Sequence, residues 1–161
     1  MLVLGIDPGT ATTGFGLVSR EGSRLTALHH GVIRTPAGLD MATRLVQIHQ
    51  GIKELIEEYR PEAVAVEELF FNRNAKTFVS VSQARGAVLL TVAQCGVRVF
   101  EYTPLQVKQA VVGYGQAEKE QVQRMVKAIL KMERVVRPDD AADALAVAIC
   151  HIHSFREGVE T

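Results

Sequence analysis

The chain has 161 residues, with 47% hydrophobic and 22% charged, the balance of a globular protein with a sizeable core rather than a disordered or fibrous one. No apolar run approaches the roughly 20 residues that span a bilayer, and the first residues lack the charged and small-residue features of a signal peptide, so a cytoplasmic protein without a membrane partner is expected. The formal net charge is zero, but residues 70 to 137 hold 11 Lys and Arg against four Glu while the remainder holds seven against 14 acids, and polyanions read a local patch rather than a total, so nucleic acid is not excluded.

In chain order, Leu2 to Asp7 reads as a short buried strand. Thr13 to Arg20 leads into the turn Glu21-Gly22-Ser23, and Arg24 to Arg34 returns, which makes an antiparallel meander. Asp40 opens an amphipathic helix with Leu45, Ile48, Ile52, Leu55 and Ile56 at helical spacing, and Pro61 stops it. Ala63 to Glu67 is another short apolar strand. Strand, helix, strand in that order implies a right-handed crossover and parallel pairing.

Residues 69 to 77 break the pattern as a loop. From about Lys76 to Gln94 a helix rich in small residues follows, suited to tight packing on the sheet or on a partner chain. Val97 to Glu101 is a fifth strand, and Thr103 to Val112 a short helix with Pro104 in its first turn. Lys119 to Met132 has the clearest periodicity: Val122, Met125, Val126, Ile129 and Leu130 form one stripe, with Arg124, Lys127 and Lys131 opposite. That basic face suits either solvent or phosphates. Pro138 opens a last, apolar helix. The expected class is α/β, one domain over residues 1–161, with a five-stranded mixed sheet (antiparallel meander plus parallel strands) flanked by helices.

Four carboxylates stand where apolar elements end or begin. Asp7 ends the first strand and Glu67 the fourth. Asp140 and Asp143, i and i+3, share one face of the last helix. A buried carboxylate is costly to ionise without a partner, and several in one pocket repel unless a cation holds them. Hard divalent ions choose such all-oxygen sites.

Each acid also has a plainer reading. Asp7 in DPGTATTG suits an Asx-turn, or the phosphate-cradling hairpin of an ATP-binding fold. Asp139 and Asp140 suit the first-turn helix dipole. Asp143, deeper in the helix, needs something positive in front of it. Glu67 is preferred over Glu68 because it shares register with Ala65 and the sheet interior. Cys95 and Cys150 lack metal-ligand or redox spacing and read as buried thiols, and the five His show no zinc pattern.

The segments GIDPGTATTGFG, AVEELFFNRNAKT, SQARG, EYTPLQVKQAVVGYGQAEKEQV and DDAADALAVAICH closely resemble the RuvC family of bacterial Holliday junction resolvases, in order and over nearly the whole chain. The resemblance implies an RNase H-like fold and cutting of four-way DNA junctions with Mg²⁺, two ions per site, Mn²⁺ able to substitute. It also implies a homodimer working alongside the RuvA–RuvB branch-migration complex. Carried onto this sequence, the family's catalytic and metal-binding acids fall on Asp7, Glu67, Asp140 and Asp143, some relatives having His at the third position. Phe70 matches an aromatic that engages junction bases, while Lys108 and Lys119 match lysines used in DNA handling and cleavage. Arg73 and Lys76 are further DNA-binding candidates in the basic segment. The alternatives are an actin-like or sugar-kinase-type ATP-binding domain and a non-catalytic junction-binding module.

Overall fold

The computed structural model describes residues 1–69 and 75–155. The elements run β1 (Leu2–Asp7), β2 (Thr12–Glu21), β3 (Arg24–Arg34), α1 (Met41–Tyr59), β4 (Ala63–Glu67), α2 (Ala75–Gln94), β5 (Arg98–Tyr102), α3 (Pro104–Val112), α4 (Lys119–Ile129) and α5 (Asp139–Ser154). One five-stranded sheet has the order β3-β2-β1-β4-β5. The meander β1-β2-β3 is antiparallel, and β4 and β5 join it in parallel, as the strand-helix-strand order requires.

Local chemistry explains the element ends. Asp40 caps α1 by accepting from Thr43 N at 2.7 Å. At the other end Arg60 adopts a left-handed conformation and donates its N–H to Ile56 O. Thr103 and Gln106 close α3 with a reciprocal capping box. The fourth helix is shorter than its periodicity suggests: it ends at Ile129 rather than Met132, with Lys131 at φ 51°. The turn sends Leu130 and Val136 into the same core, a tertiary gain that overrides three residues of good helix former.

Strand alternation sorts the core into two layers. Leu4, Ile6, Val64 and Val66 face α1 and α2. Val3 and Ala65 face the other way, where α5 lies with α3 and α4. Cys150 is buried in that second layer, whereas Cys95, expected to be buried, is only partly covered just beyond α2. Among the described residues no helix is long and apolar enough to cross a membrane.

Candidate active site

The site follows from a period of two. Val3 and Gly5 point toward α5, so Asp7 does too; Ala65 points the same way, so Glu67 does and Glu68 does not. Ile6 pairs with Val66 in parallel, which sets Asp7 and Glu67 at adjacent C-terminal strand ends. That edge of an open α/β sheet is where ligands bind.

The helix α5 brings the other two acids. Its seat is made by glycines: a Cβ on Gly5 would overlap the Ala144 carbonyl, and one on Gly14 the Asp140 carbonyl. Glycine inside a strand marks such close backbone approach, a signal that the segments LGI and GFG carry in the sequence itself. At its far end α5 is tied to β5 by a 2.7 Å hydrogen bond between Tyr102 Oη and His151 Nδ1, and Tyr102 is the strand partner of Glu67. Burial holds His151 down at about 4, with Arg98 adding to the effect, so the ring is neutral at physiological pH.

Carboxylate oxygens of Asp7, Asp140 and Asp143 lie within 4.8 Å of one another. Burial first, then the charges of Asp143, Glu67 and Asp140, push Asp7 up to about 8. Glu67 rises to about 7 from burial and Asp143, against the opposing pull of Lys108 and Lys119. Asp143 is raised mainly by burial as well. The donor set is all oxygen, close-packed and electrostatically unfavourable by itself, which fits a hard divalent cation. Such an ion would be held by Asp7, Asp140 and Asp143, with Glu67 beside them.

Glu67 and Asp143 open onto a pocket of about 230 Å³ that also takes in Lys108 and Lys119 between apolar walls of Pro104, Val107, Val122 and Ala146. Asp143 does have a cation in front of it: Lys119 Nζ stands 3.7 Å from its Oδ2 and 3.3 Å from Asp139 Oδ2. Burial acts to lower Lys119, but Asp143 and Asp139 outweigh it and hold the ammonium above its ordinary value. Lys76 is exposed in the first turn of α2 and is not among the pocket-lining residues. Phe70 and Arg73 lie outside the described residues. Sequence reasoning missed Asp139 beyond its dipole role. It also missed Arg137 and Gln123, which bind Asp139 Oδ1 at 2.9 and 3.1 Å.

The turn after Asp7 is anchored by its own hydroxyls. Thr13 Oγ1 donates to Gly9 O at 2.7 Å. Thr10 Oγ1 donates to Ser80 O of α2 at 2.7 Å, and Thr10 O accepts from Thr35 Oγ1 at 2.6 Å. Both hydroxyl protons are thus committed to protein carbonyls, so neither is free to donate to a phosphate.

A family model described as Crossover junction endodeoxyribonuclease RuvC matches residues 3–151. The chain belongs to the RuvC family. Among its RuvC relatives, the protein from Syntrophomonas wolfei is 62% identical over 156 residues, 97% of this chain and 91% of that one. The structure of Thermus thermophilus RuvC matches with a TM-score of 0.89 at 43% identity, covering 95% of this chain and 94% of that one. T. thermophilus RuvC in complex with Holliday junction substrate matches at 0.87 and 41%, with the same coverage. The protein is accordingly a nuclease with the RNase H-like fold of RuvC, and its described residues include an acidic cluster of Asp7, Asp140 and Asp143.

Proposed function

We propose that this chain, acting as one nuclease domain over residues 1–161, is a Mg²⁺-dependent endonuclease that resolves Holliday junctions by paired symmetric phosphodiester hydrolysis during recombination and repair. The observation that carries the reading is the convergence of Asp7, Asp140 and Asp143 from two separate elements in a RuvC-family chain. Supporting it, a RuvC at 41% identity is described in complex with Holliday junction substrate.

In this reading Asp7, Asp140, Asp143 and Glu67 hold the metal, with Mn²⁺ able to replace Mg²⁺ because both accept carboxylate oxygen. Two bound divalent ions supply water activation and charge stabilisation at the leaving oxygen. Lys119 and Lys108 meet the scissile phosphate from the pocket wall, and Arg73 and Lys76 meet flanking phosphates, which orient the junction without reading its bases. Phe70 stacks on or wedges between bases at the crossover.

A homodimer gives two such sites for the two strands of a roughly two-fold substrate. Its interface is the apolar groove between α1 and α2, where Val46 and Leu90 remain 51% and 59% exposed beside Leu45, Gly86 and Ala87. The enzyme works in the cytoplasm with RuvA–RuvB.

The test is a mobile four-way junction and a matched linear duplex, each incubated with Mg²⁺ or EDTA and the nicks mapped. Symmetric nicks in the junction with Mg²⁺ alone are expected. Tight junction binding without any cutting in Mg²⁺ would instead favour a non-catalytic module. Lys119→Ala is expected to slow cutting by roughly a hundredfold, the scale for losing one electrostatic donor to a reacting group. An unchanged rate at every salt concentration would make Lys119 a bystander.

A further inference from the structure

Lys119 is held by two carboxylates whose situations differ. Asp143 belongs to the metal set, so any cation bound there takes the charge that now attracts Lys119 and itself repels the ammonium. Asp139 is not in that set. It is the first residue of α5, and its Oδ1 is pinned by Arg137 Nη1 at 2.9 Å and Gln123 Nε2 at 3.1 Å. Arg137 Nη1 also donates to Gln123 Oε1 at 2.9 Å, which closes a triangle around that oxygen. Only Oδ2 is left to face Lys119, at 3.3 Å.

The anchor is well founded. Gln123 is buried and stands one turn after Lys119 on α4, so Asp139 clamps the first turn of that helix while holding its first side chain. The Asp139 and Lys119 side chains are themselves about half exposed, at 48% and 56%. An ion pair that open contributes little to stability, so its consequence is where it leaves the ammonium rather than how firmly it holds the fold.

We infer that Asp139 is the positioning residue for Lys119: once the metal set is filled, Asp139 keeps the ammonium at the pocket wall, facing the phosphate, instead of free in solvent. The inference rests on the reading of Lys119 given above. It assigns to Asp139 neither a metal-binding nor a substrate-touching role.

A double-mutant cycle in junction cleavage tests it, with melting in Mg²⁺ and in EDTA as the second readout. Asp139→Ala is expected to slow cutting by about tenfold, less than the roughly hundredfold loss expected on removing the ammonium itself. Asp139→Ala combined with Lys119→Ala should cut no slower than Lys119→Ala alone, because residues that act through one another are not additive. Asp139→Glu, which keeps the carboxylate, should recover most of the rate. The rise in Tm on adding Mg²⁺ should match the native protein's in every Asp139 variant.

Native-rate cutting by Asp139→Ala beside a slow Lys119→Ala would overturn the inference and leave the role of Lys119 standing. So would a double variant showing the full product of the two losses, or the disappearance of the Mg²⁺-induced rise in Tm. Native-rate cutting by Lys119→Ala would overturn the reading of Lys119 and this inference together. A native protein that leaves junctions uncut in Mg²⁺ would remove the junction-resolving reading on which both depend.

Discussion

Asp7→Asn is expected to reduce junction cleavage by more than about a hundredfold, since losing even an outer-shell partner of a metal site costs tenfold to a hundredfold. Junction affinity measured in EDTA should hardly change, because the basic segment from residue 70 to 137 is untouched. The same variant carries a thermodynamic signature. Folding lifts Asp7 from 3.8 to about 8, chiefly by burial. The folded chain therefore keeps a proton that the unfolded chain releases near pH 4, and raising the pH from about 4 toward 8 favours unfolding.

Native protein in EDTA should lose stability toward pH 8, at a slope of up to about 1.4 kcal/mol per pH unit from this group, partly offset below about pH 6.5 by His151, which burial holds down at about 4. Glu67, lifted to about 7 by burial and Asp143, works in the same direction as Asp7. Asp7→Asn should flatten the slope, and at pH 8 without metal it should melt no lower than the native chain. Mg²⁺ should raise the native Tm and scarcely move that of the variant. Melting curves at pH 5 and pH 8, each with EDTA and with Mg²⁺, check all of these, and a native curve insensitive to pH would contradict the electrostatic account.

Gly14→Ala is the second large effect. A methyl group there would overlap the Asp140 carbonyl and crowd its Cβ, so either α5 lifts from the sheet or β2 bends away. Overpacking of this kind costs roughly 1–3 kcal/mol or more, and backbone cannot relax as a side-chain tip can. Because α5 carries Asp140 and Asp143 while β1 carries Asp7, the displacement separates the acids as well. Cleavage and the Mg²⁺-induced rise in Tm should both fall, and by more than the drop in Tm alone explains. Gly38→Ala is the control: nothing lies within 4 Å of the added carbon, and both properties should stay native. Cleavage by Gly14→Ala at the native rate would show that the close approach of helix and strand does not set the site.

Much of this arrangement was legible along the chain because it depends on local periodicity. Alternation in LVLGID and AVAVE puts Asp7 and Glu67 on one face, and helical spacing puts Asp140 and Asp143 on another. The caps at Asp40 and Thr103 are likewise local, and both elements begin where those residues indicate. The family segments extended this reading to a nuclease, and residues 3–151 match that family.

The order of the elements, the mixed sheet they make and the acids each presents are thus written along the chain, because each follows from spacings of two to four residues. The glycine seat at Gly5 and Gly14 that brings the α5 acids against Asp7, and the placing of Lys119 before Asp143, arise only in three dimensions. Asp139, a first-turn acid of α5, there meets that lysine, 20 residues away, at 3.3 Å. Such contacts join groups far apart in the chain, and no repeat or propensity encodes them; they exist only once the backbones have met.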